Sequence, residues 1–404
     1  MAKGKKVITK KDWIASFNLV GEAKLNEYTY KINEKSEKSS WIYNSLNLGV
    51  YCGEKYGTVY VSMMGGYSEE KAGVIFAHGK KEDGSDDFEN QIQVAWEDRF
   101  DEDILESLGD MCFITVGLEQ TNKNKVFYKK FLSEYDAIAY IQEHLEEGMV
   151  LNVRGNIRYS LYQEKVQMQK NINNIVLSKV DDAAKYKATF VQTVLLNKDS
   201  ASLKKEQIDK DKGVLYVSTR ILDYLKEFNG IEVKGQYPFQ KEFEFEMDFS
   251  NEKICKMIME KVFKVKKDVT QITFEGEFIS GGAVVTATWD DVPDDIKDLV
   301  ECGIYTKEEA LQRCSTNGNR EDRMILHKPH TRLVGDEKKP MVQKFEQRFT
   351  ENDLTLDYLV QEAPADGFMN VPEGEELPFA DDKKDDTDSG EEGSVDDMSW
   401  LNNL

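Results

Sequence analysis

Between Trp41 and Tyr51 apolar and polar positions alternate. Ile42, Leu46, Leu48 and Val50 fall on one side, and Trp41, Tyr43, Ser45, Asn47 and Tyr51 on the other. A period of two marks a half-buried strand. Tyr56–Met63 repeats it, with Val59, Val61 and Met63 inward and Thr58, Tyr60 and Ser62 outward. Cys52-Gly-Glu-Lys55 reads as the hairpin turn between the two. Asn44 interrupts the apolar side and predicts a bulge or a barrel end. From Gly65 to about Leu132 the pattern predicts an elaboration, with short strands near Gly73–His78, Gln91–Trp96, Cys112–Gly117 and Lys125–Phe131. A helix starts at the capping box Ser133-Glu-Tyr-Asp136, buries Ile138, Ile141 and Leu145, and stops at Gly148. Two strands follow. Val150–Tyr159 sets Leu151, Val153 and Ile157 against Asn152, Arg154, Asn156 and Arg158, and Lys165–Lys170 sets Val166 and Met168 against Lys165, Gln167 and Gln169.

The pattern recurs in degraded form from about Lys187 to Trp289. Strand-like segments at Ala188–Leu196, Val214–Ile221, Ile231–Val233 and Phe243–Met247 precede a helix carrying Ile254, Met257, Ile258 and Val262. Ile272–Phe278 and Ala283–Thr288 close the copy, and Phe274-Glu-Gly-Glu-Phe278 aligns with Val153-Arg-Gly-Asn-Ile157. Three strands, a helix and two strands is the order of the five-stranded Greek-key OB barrel. The expected fold is therefore mainly β with α (α+β): two tandem OB-fold barrels, a short helical segment and a disordered acidic C-terminal tail. The expected boundaries are a basic arm over 1–12, a first barrel over 13–180 with an insertion at 65–132, and a second barrel over 185–290. A helical segment over 291–334 and a linker with acidic tail over 335–404 complete the chain. Pro293, Gly303 and the cap at Thr306 motivate the helices.

Charge sharpens this picture. The net −22 is concentrated in two stretches: Glu82–Asp110 holds 12 acids and one arginine, and Gln361–Leu404 holds 14 acids and two lysines. The remainder is close to neutral, so a basic surface on the first barrel is allowed. Apolar runs fall far short of the roughly 20 residues that span a bilayer, and the charged N-terminus does not read as a secretory signal. Five scattered cysteines (Cys52, Cys112, Cys255, Cys302, Cys314) fit free thiols in a reducing cytoplasm. No Walker A loop, Gly-x-Ser-x-Gly elbow or His-Glu-x-x-His motif occurs, and only four histidines are present, so no enzyme and no cofactor is expected. Cys302, Cys314, His327 and His330 lack the tight pairing of zinc ligands. The acids at Asp98–Asp103 read as a solvated face rather than a Mg2+ site. No metal is assigned.

Single-strand binding needs aromatic platforms for bases and cations along the phosphates. Trp41, Tyr43, Tyr51 and Tyr60 supply the first, and Arg154, Arg158, Lys165 and Lys170 the second. The competing reading is that the Gly65–Leu132 insertion covers these aromatics and makes a second core. The second barrel is a poorer site: Glu242, Glu244, Glu246 and Asp248 face outward and Glu275 stands in place of an arginine, leaving Arg220, Lys234, Tyr237 and Phe239 for a smaller one. The stretch from Gly148 to Tyr162 with Val166–Leu177 resembles the last two strands of single-stranded-DNA-binding proteins. Glu373-Gly-Glu-Glu-Leu-Pro-Phe379 resembles the acidic tip of the bacterial family, although it is internal here, and Trp400-Leu-Asn-Asn-Leu404 again sets apolar residues after acids. The resemblance implies a cytoplasmic protein of bacterial or phage type, coating single-stranded DNA in replication, recombination or repair. Leu377, Phe379, Trp400, Leu401 and Leu404 would then recruit replication or recombination enzymes. Homo-oligomerisation stays open. The rival reading is a protein-interaction or DNA-mimic module whose acidic segments engage a basic protein.

Overall fold

The computed structural model describes residues 8–355, apart from 38, 71–72, 121–124, 163–164, 181, 229–230, 282–283, 286–288, 290–291, 294–295, 298–299, 301, 303–305, 308–309, 311–315, 318–320 and 335–337. Period-two segments become strands, and the helices described are short. In chain order come β1 (Ala15–Lys24), β2 (Tyr30–Lys35), β3 (Trp41–Tyr51) and β4 (Thr58–Ser68). The insertion holds β5 (Val74–Lys80), β6 (Asp86–Ala95), α1 (Glu102–Ser107), β7 (Ile114–Gln120) and β8 (Val126–Phe131). Then follow α2 (Glu134–His144), β9 (Val150–Tyr162) and β10 (Lys165–Leu177). The Ser133 hydroxyl accepts from Tyr135 N to cap α2, which buries Ala137, Ile138, Tyr140 and Ile141.

Five of these strands pair in a ring. β1 pairs β3, β3 pairs β4, β4 lies parallel to β10, β10 pairs β9, and β9 returns to β1. Leu46, Leu48, Val50, Val59, Val61, Leu151 and Val153 point into it and are at most 1% exposed. Asn44 is equally buried: its amide donates to Tyr135 O and accepts from Asn33 N, both at 2.8 Å. The irregularity expected at Asn44 lies opposite it, in β2 between Lys31 and Glu34.

The second half comprises β11 (Lys187–Leu196), β12 (Ile208–Asp209), β13 (Val214–Phe228), β14 (Ile231–Glu246), α3 (Glu252–Ile258) and β15 (Thr270–Gly281). After it come β16 (Val284–Val285), β17 (Thr316–Asn317), β18 (Glu321–Pro329), β19 (Thr331–Val334), β20 (Lys339–Val342) and β21 (Lys344–Glu346). Its ring has the same order: β11 to β13, β13 to β14, β14 parallel to β18, β18 to β15, and β15 to β11. The last member is thus Glu321–Pro329; of Ala283–Thr288 the described residues Val284–Val285 form a short strand with Thr316–Asn317. This corrects the boundary at 290. Within the segment expected to be helical, Glu321–Pro329 joins the sheet, and its Met324, Ile325 and Leu326, all at most 5% exposed, complete the second core. Described residues of the linker expected from 335 are packed against the fold. β21 pairs β15, and Phe349 and Leu354 pack with Ile8, Leu195, Leu222 and Val269.

The rings meet edge to edge through β1 and β11, with Phe17 opposite Phe190. Each phenylalanine also lies across from a glycine on its other side, Phe17 from Gly155 and Phe190 from Gly276, so the pairing is two-fold about this point. Both glycines are obligatory. A Cβ on Gly155 would sit 1.8 Å from Asn171 O, and one on Gly276 would sit 2.3 Å from Ile325 O and 2.4 Å from the Phe190 ring. Joined in this way, the strands make one 15-stranded sheet that is not itself a closed barrel, around a shared apolar core.

Candidate nucleic-acid interface

The outward residues of β3 and β4 form a continuous face. Register places Trp41 opposite Ser68, Tyr43 opposite Gly66, Ser45 opposite Met64, Asn47 opposite Ser62, Gly49 opposite Tyr60 and Tyr51 opposite Thr58. Small side chains therefore floor a shallow trough, with Trp41, Tyr43 and Met64 toward one end and Tyr60 and Tyr51 at the other. At about 3.3 Å per residue the face from Trp41 to Tyr51 runs about 33 Å, long enough for several nucleotides.

The Trp41 and Tyr43 rings stack at 4.9 Å with 16° between planes. Both are half-buried, and Met64 beside them is 47% exposed. The Lys24 ammonium lies 5.7 Å from the Tyr51 ring centroid. Burial pushes the Tyr43 hydroxyl up, and the Glu34 and Glu37 carboxylates add to it. The trough thus has an acidic neighbourhood at the Tyr43 end and a cation at the Tyr51 end. Trp96 of the insertion stacks on Tyr67, on the other side of β4, at 5.1 Å, and Tyr135 of α2 meets Tyr67 edge-on. Met64 was legible only as an outward position of an alternating strand, without a chemical signal of its own.

The four cations are gathered elsewhere. They stand on β9 and β10: β9 lies between β1 and β10, and β10 runs beside β4, with Asn171 opposite Ser62. Arg154 is exposed, its Nε donating to Asn152 Oδ1 at 2.9 Å, and Lys165 is exposed at the start of β10. Arg158 Nη1 lies 3.6 Å from the buried Asp223 carboxylate, which also takes Lys10 Nζ at 2.9 Å and Tyr159 N at 2.8 Å. Lys170 turns to the second ring, its ammonium 5.2 Å from the Phe278 ring. The described end of the basic arm is likewise docked, with Ile8 buried and Lys10 on Asp223.

In the second ring, acids occupy the positions equivalent to Arg154 and Asn156. Burial pushes Glu275 up, but hydrogen bonds from His330 and Lys328 outweigh it and hold the carboxyl below its usual range. Glu277 is lowered in the same way, against burial, by Lys55 and Tyr56 from the first ring, with His327 adding. Glu244 binds Arg323. Of the smaller site read from the sequence, Phe239 is fully buried and Tyr237, half-buried, packs edge-on against it at 4.8 Å. Leu377, Phe379, Trp400, Leu401 and Leu404 lie outside the described residues. Among the described residues no cluster of His, Cys, Asp and Glu could hold a metal ion, and no helix is long and apolar enough to cross a membrane.

A family model described as YorF matches residues 80–276. No curated protein matches the chain. Among solved structures it is similar to the wild-type single-stranded DNA binding protein from Thermus aquaticus, at 10% identity and a TM-score of 0.28, covering 66% of this chain and 86% of that one. A deletion mutant of the same Thermus aquaticus protein gives 10% identity and a TM-score of 0.29, with 66% and 87% covered.

Proposed function

We propose that the chain binds single-stranded DNA without sequence preference, that each five-strand ring is an OB barrel, and that the first barrel carries the site. One observation supports this above all others: a stacked Trp41–Tyr43 pair, an exposed methionine and two further tyrosines share the open face of the second and third strands of such a ring. That is the face on which OB barrels take oligonucleotides. Each stacked base contributes roughly 1–3 kcal/mol, so two or three platforms with a few phosphate contacts suffice for micromolar affinity. Arg154 and Lys165, the two cations not drawn to the second ring, are the proposed phosphate contacts. The acidic tail, through Leu377, Phe379, Trp400, Leu401 and Leu404, would recruit replication or recombination enzymes in the cytoplasm of a bacterial or phage-infected cell. The test is quenching of tryptophan fluorescence on titration with oligo-dT at two salt concentrations. Saturable quenching weakened by salt supports the reading, and none at low salt refutes it.

The alternative, a surface for a basic protein, is favoured by a different observation. The acidic Glu82–Asp110 stretch exposes Phe88 and Phe100 at 58% and 57%, an aromatic and anionic combination unsuited to DNA. Charge reversal there should leave oligo-dT binding intact on the first reading.

A further inference from the structure

Within the insertion, three side chains unused by the proposed DNA site form a hydrogen-bonded line. Cys112 Sγ lies 3.3 Å from His78 Nδ1, and His78 Nε2 lies 2.8 Å from Asp86 Oδ1. Each is placed by backbone. His78 ends the regular pairing of β5, where a bulge follows, and Asp86 opens β6. Cys112 closes a 3-10 turn over Asp110–Cys112. His78 N donates to the sulfur at 3.3 Å, Gly109 N donates to His78 O at 2.8 Å, and Met111 N donates to Asp86 Oδ1 at 2.9 Å. The loop can lie this close because residue 109 has no side chain. A Cβ there would stand 2.4 Å from Asp86 Oδ1 and 2.7 Å from the imidazole.

The tautomer follows from the carboxylate. Hydrogen bonds from Met111 N and then His78 hold Asp86 below the ordinary carboxylate range. It therefore accepts the proton on Nε2, and the lone pair of Nδ1 faces the thiol. Nucleophile, base and orienting carboxylate then stand in the order that activates a cysteine. The line does not suit a metal, since the imidazole points its two nitrogens at the other two groups from opposite edges. Nor is the thiol a resting thiolate. Burial pushes it up and Asp86 adds to that, against the opposing His78 N–H.

We propose that Cys112 is a site of covalent modification, a nucleophilic thiol that exchanges with low-molecular-weight disulfides. As the sulfur attacks, its proton passes to His78 Nδ1 and Asp86 stabilises the imidazolium. A bond forms between Cys112 Sγ and one sulfur of the reagent, and the reagent's own S–S bond breaks. The departing thiolate takes the proton from His78. Cys112 ends oxidised in a mixed disulfide, and half the reagent ends reduced to a thiol. Phe88, 58% exposed, stacks obliquely on His78 at 4.5 Å, and Met111 is 72% exposed, so the site borders open apolar surface. Cys52 makes the contrast: buried, its thiol pushed up to about 12, it donates to Val50 O.

The test uses the full chain with Cys302→Ser and Cys314→Ser, and the aromatic disulfide DTNB followed by absorbance from pH 6 to 9. The same thiol in guanidinium is the internal reference. Near the site Asp110 pairs with both Lys80 and Lys130, and Asp87 lies opposite Gly79. The expected result is one fast thiol, lost in Cys112→Ser. At pH 7 it should react at least tenfold faster than in His78→Gln and faster than its own unfolded reference, whose rate climbs through about pH 8.5. A folded rate at pH 7 below the unfolded one would overturn the proposal even if His78→Gln failed to fold. It would leave the cluster as a structural clamp.

Discussion

Replacing Asp223 by alanine removes the group that ties the first ring to the second and to the N-terminal arm. Its carboxylate is 4% exposed and serves Lys10 Nζ, Tyr159 N and Tyr224 N at 2.8–2.9 Å, with Arg158 at 3.6 Å. A buried backbone N–H left without an acceptor costs about 1–3 kcal/mol. The Arg158 contact adds less than about 1 kcal/mol, because that guanidinium is 53% exposed. Lys10 is 26% exposed and can swing to water, so the roughly 3–5 kcal/mol of a fully stranded buried charge is not reached. The expected loss is about 3 kcal/mol for Asp223→Ala and about half that for Asp223→Asn, which keeps an oxygen for Tyr159 N. Urea denaturation followed by circular dichroism measures both. An Asp223→Ala midpoint within the error of the parent would refute the reasoning, and so would Asp223→Asn costing as much as Asp223→Ala.

Gly276→Ala should destabilise by about 3 kcal/mol, at the top of the usual overpacking range, because Ile325 O cannot withdraw without breaking β15–β18; a soluble protein of parental urea midpoint would contradict this. Glu275 and Glu277 are lowered in the folded state, so the stability they add is fully present above about pH 4.3, the unfolded glutamate value, and is lost as pH falls through their lower folded values. The double variant Glu275→Gln, Glu277→Gln should therefore be less stable than the parent at pH 6, with the difference shrinking as the pH is lowered below about 4.3 in thermal melts. Arg154→Gln and Lys165→Gln should each reduce the salt slope of log affinity for oligo-dT by about 0.7, whereas Lys170→Gln, committed to Phe278, should leave it unchanged.

Local periodicity made much of this molecule legible. β3, β4 and β9 show a clean period of two and α2 a cap with helical spacing, and the aligned Gly155 and Gly276 disclosed the repeat. β18 stayed hidden because Met324, Ile325 and Leu326 are buried consecutively, which erases alternation, and because about 40 residues separate it from its partner β15. The aromatics of the site were readable from side alternation alone. The commitments of Arg158 and Lys170 were not, since Asp223 and Phe278 lie far along the chain and the contact between the two rings brings them near. Cys112, His78 and Asp86 follow no spacing rule. A bulge and a glycine bring them together, and neither shows in a pattern of apolar positions.

The most direct test of the account is the oligo-dT affinity of Trp41→Ala and Tyr43→Ala, measured beside their urea midpoints. If the β3–β4 face stacks bases, each variant should weaken binding by roughly 1–3 kcal/mol. Stability should also fall, by the roughly 0.5–1.5 kcal/mol of their mutual ring contact and the lost burial of each half-buried ring. Unchanged affinity in both variants, with or without a larger loss of stability, would contradict it and make the pair part of a second core.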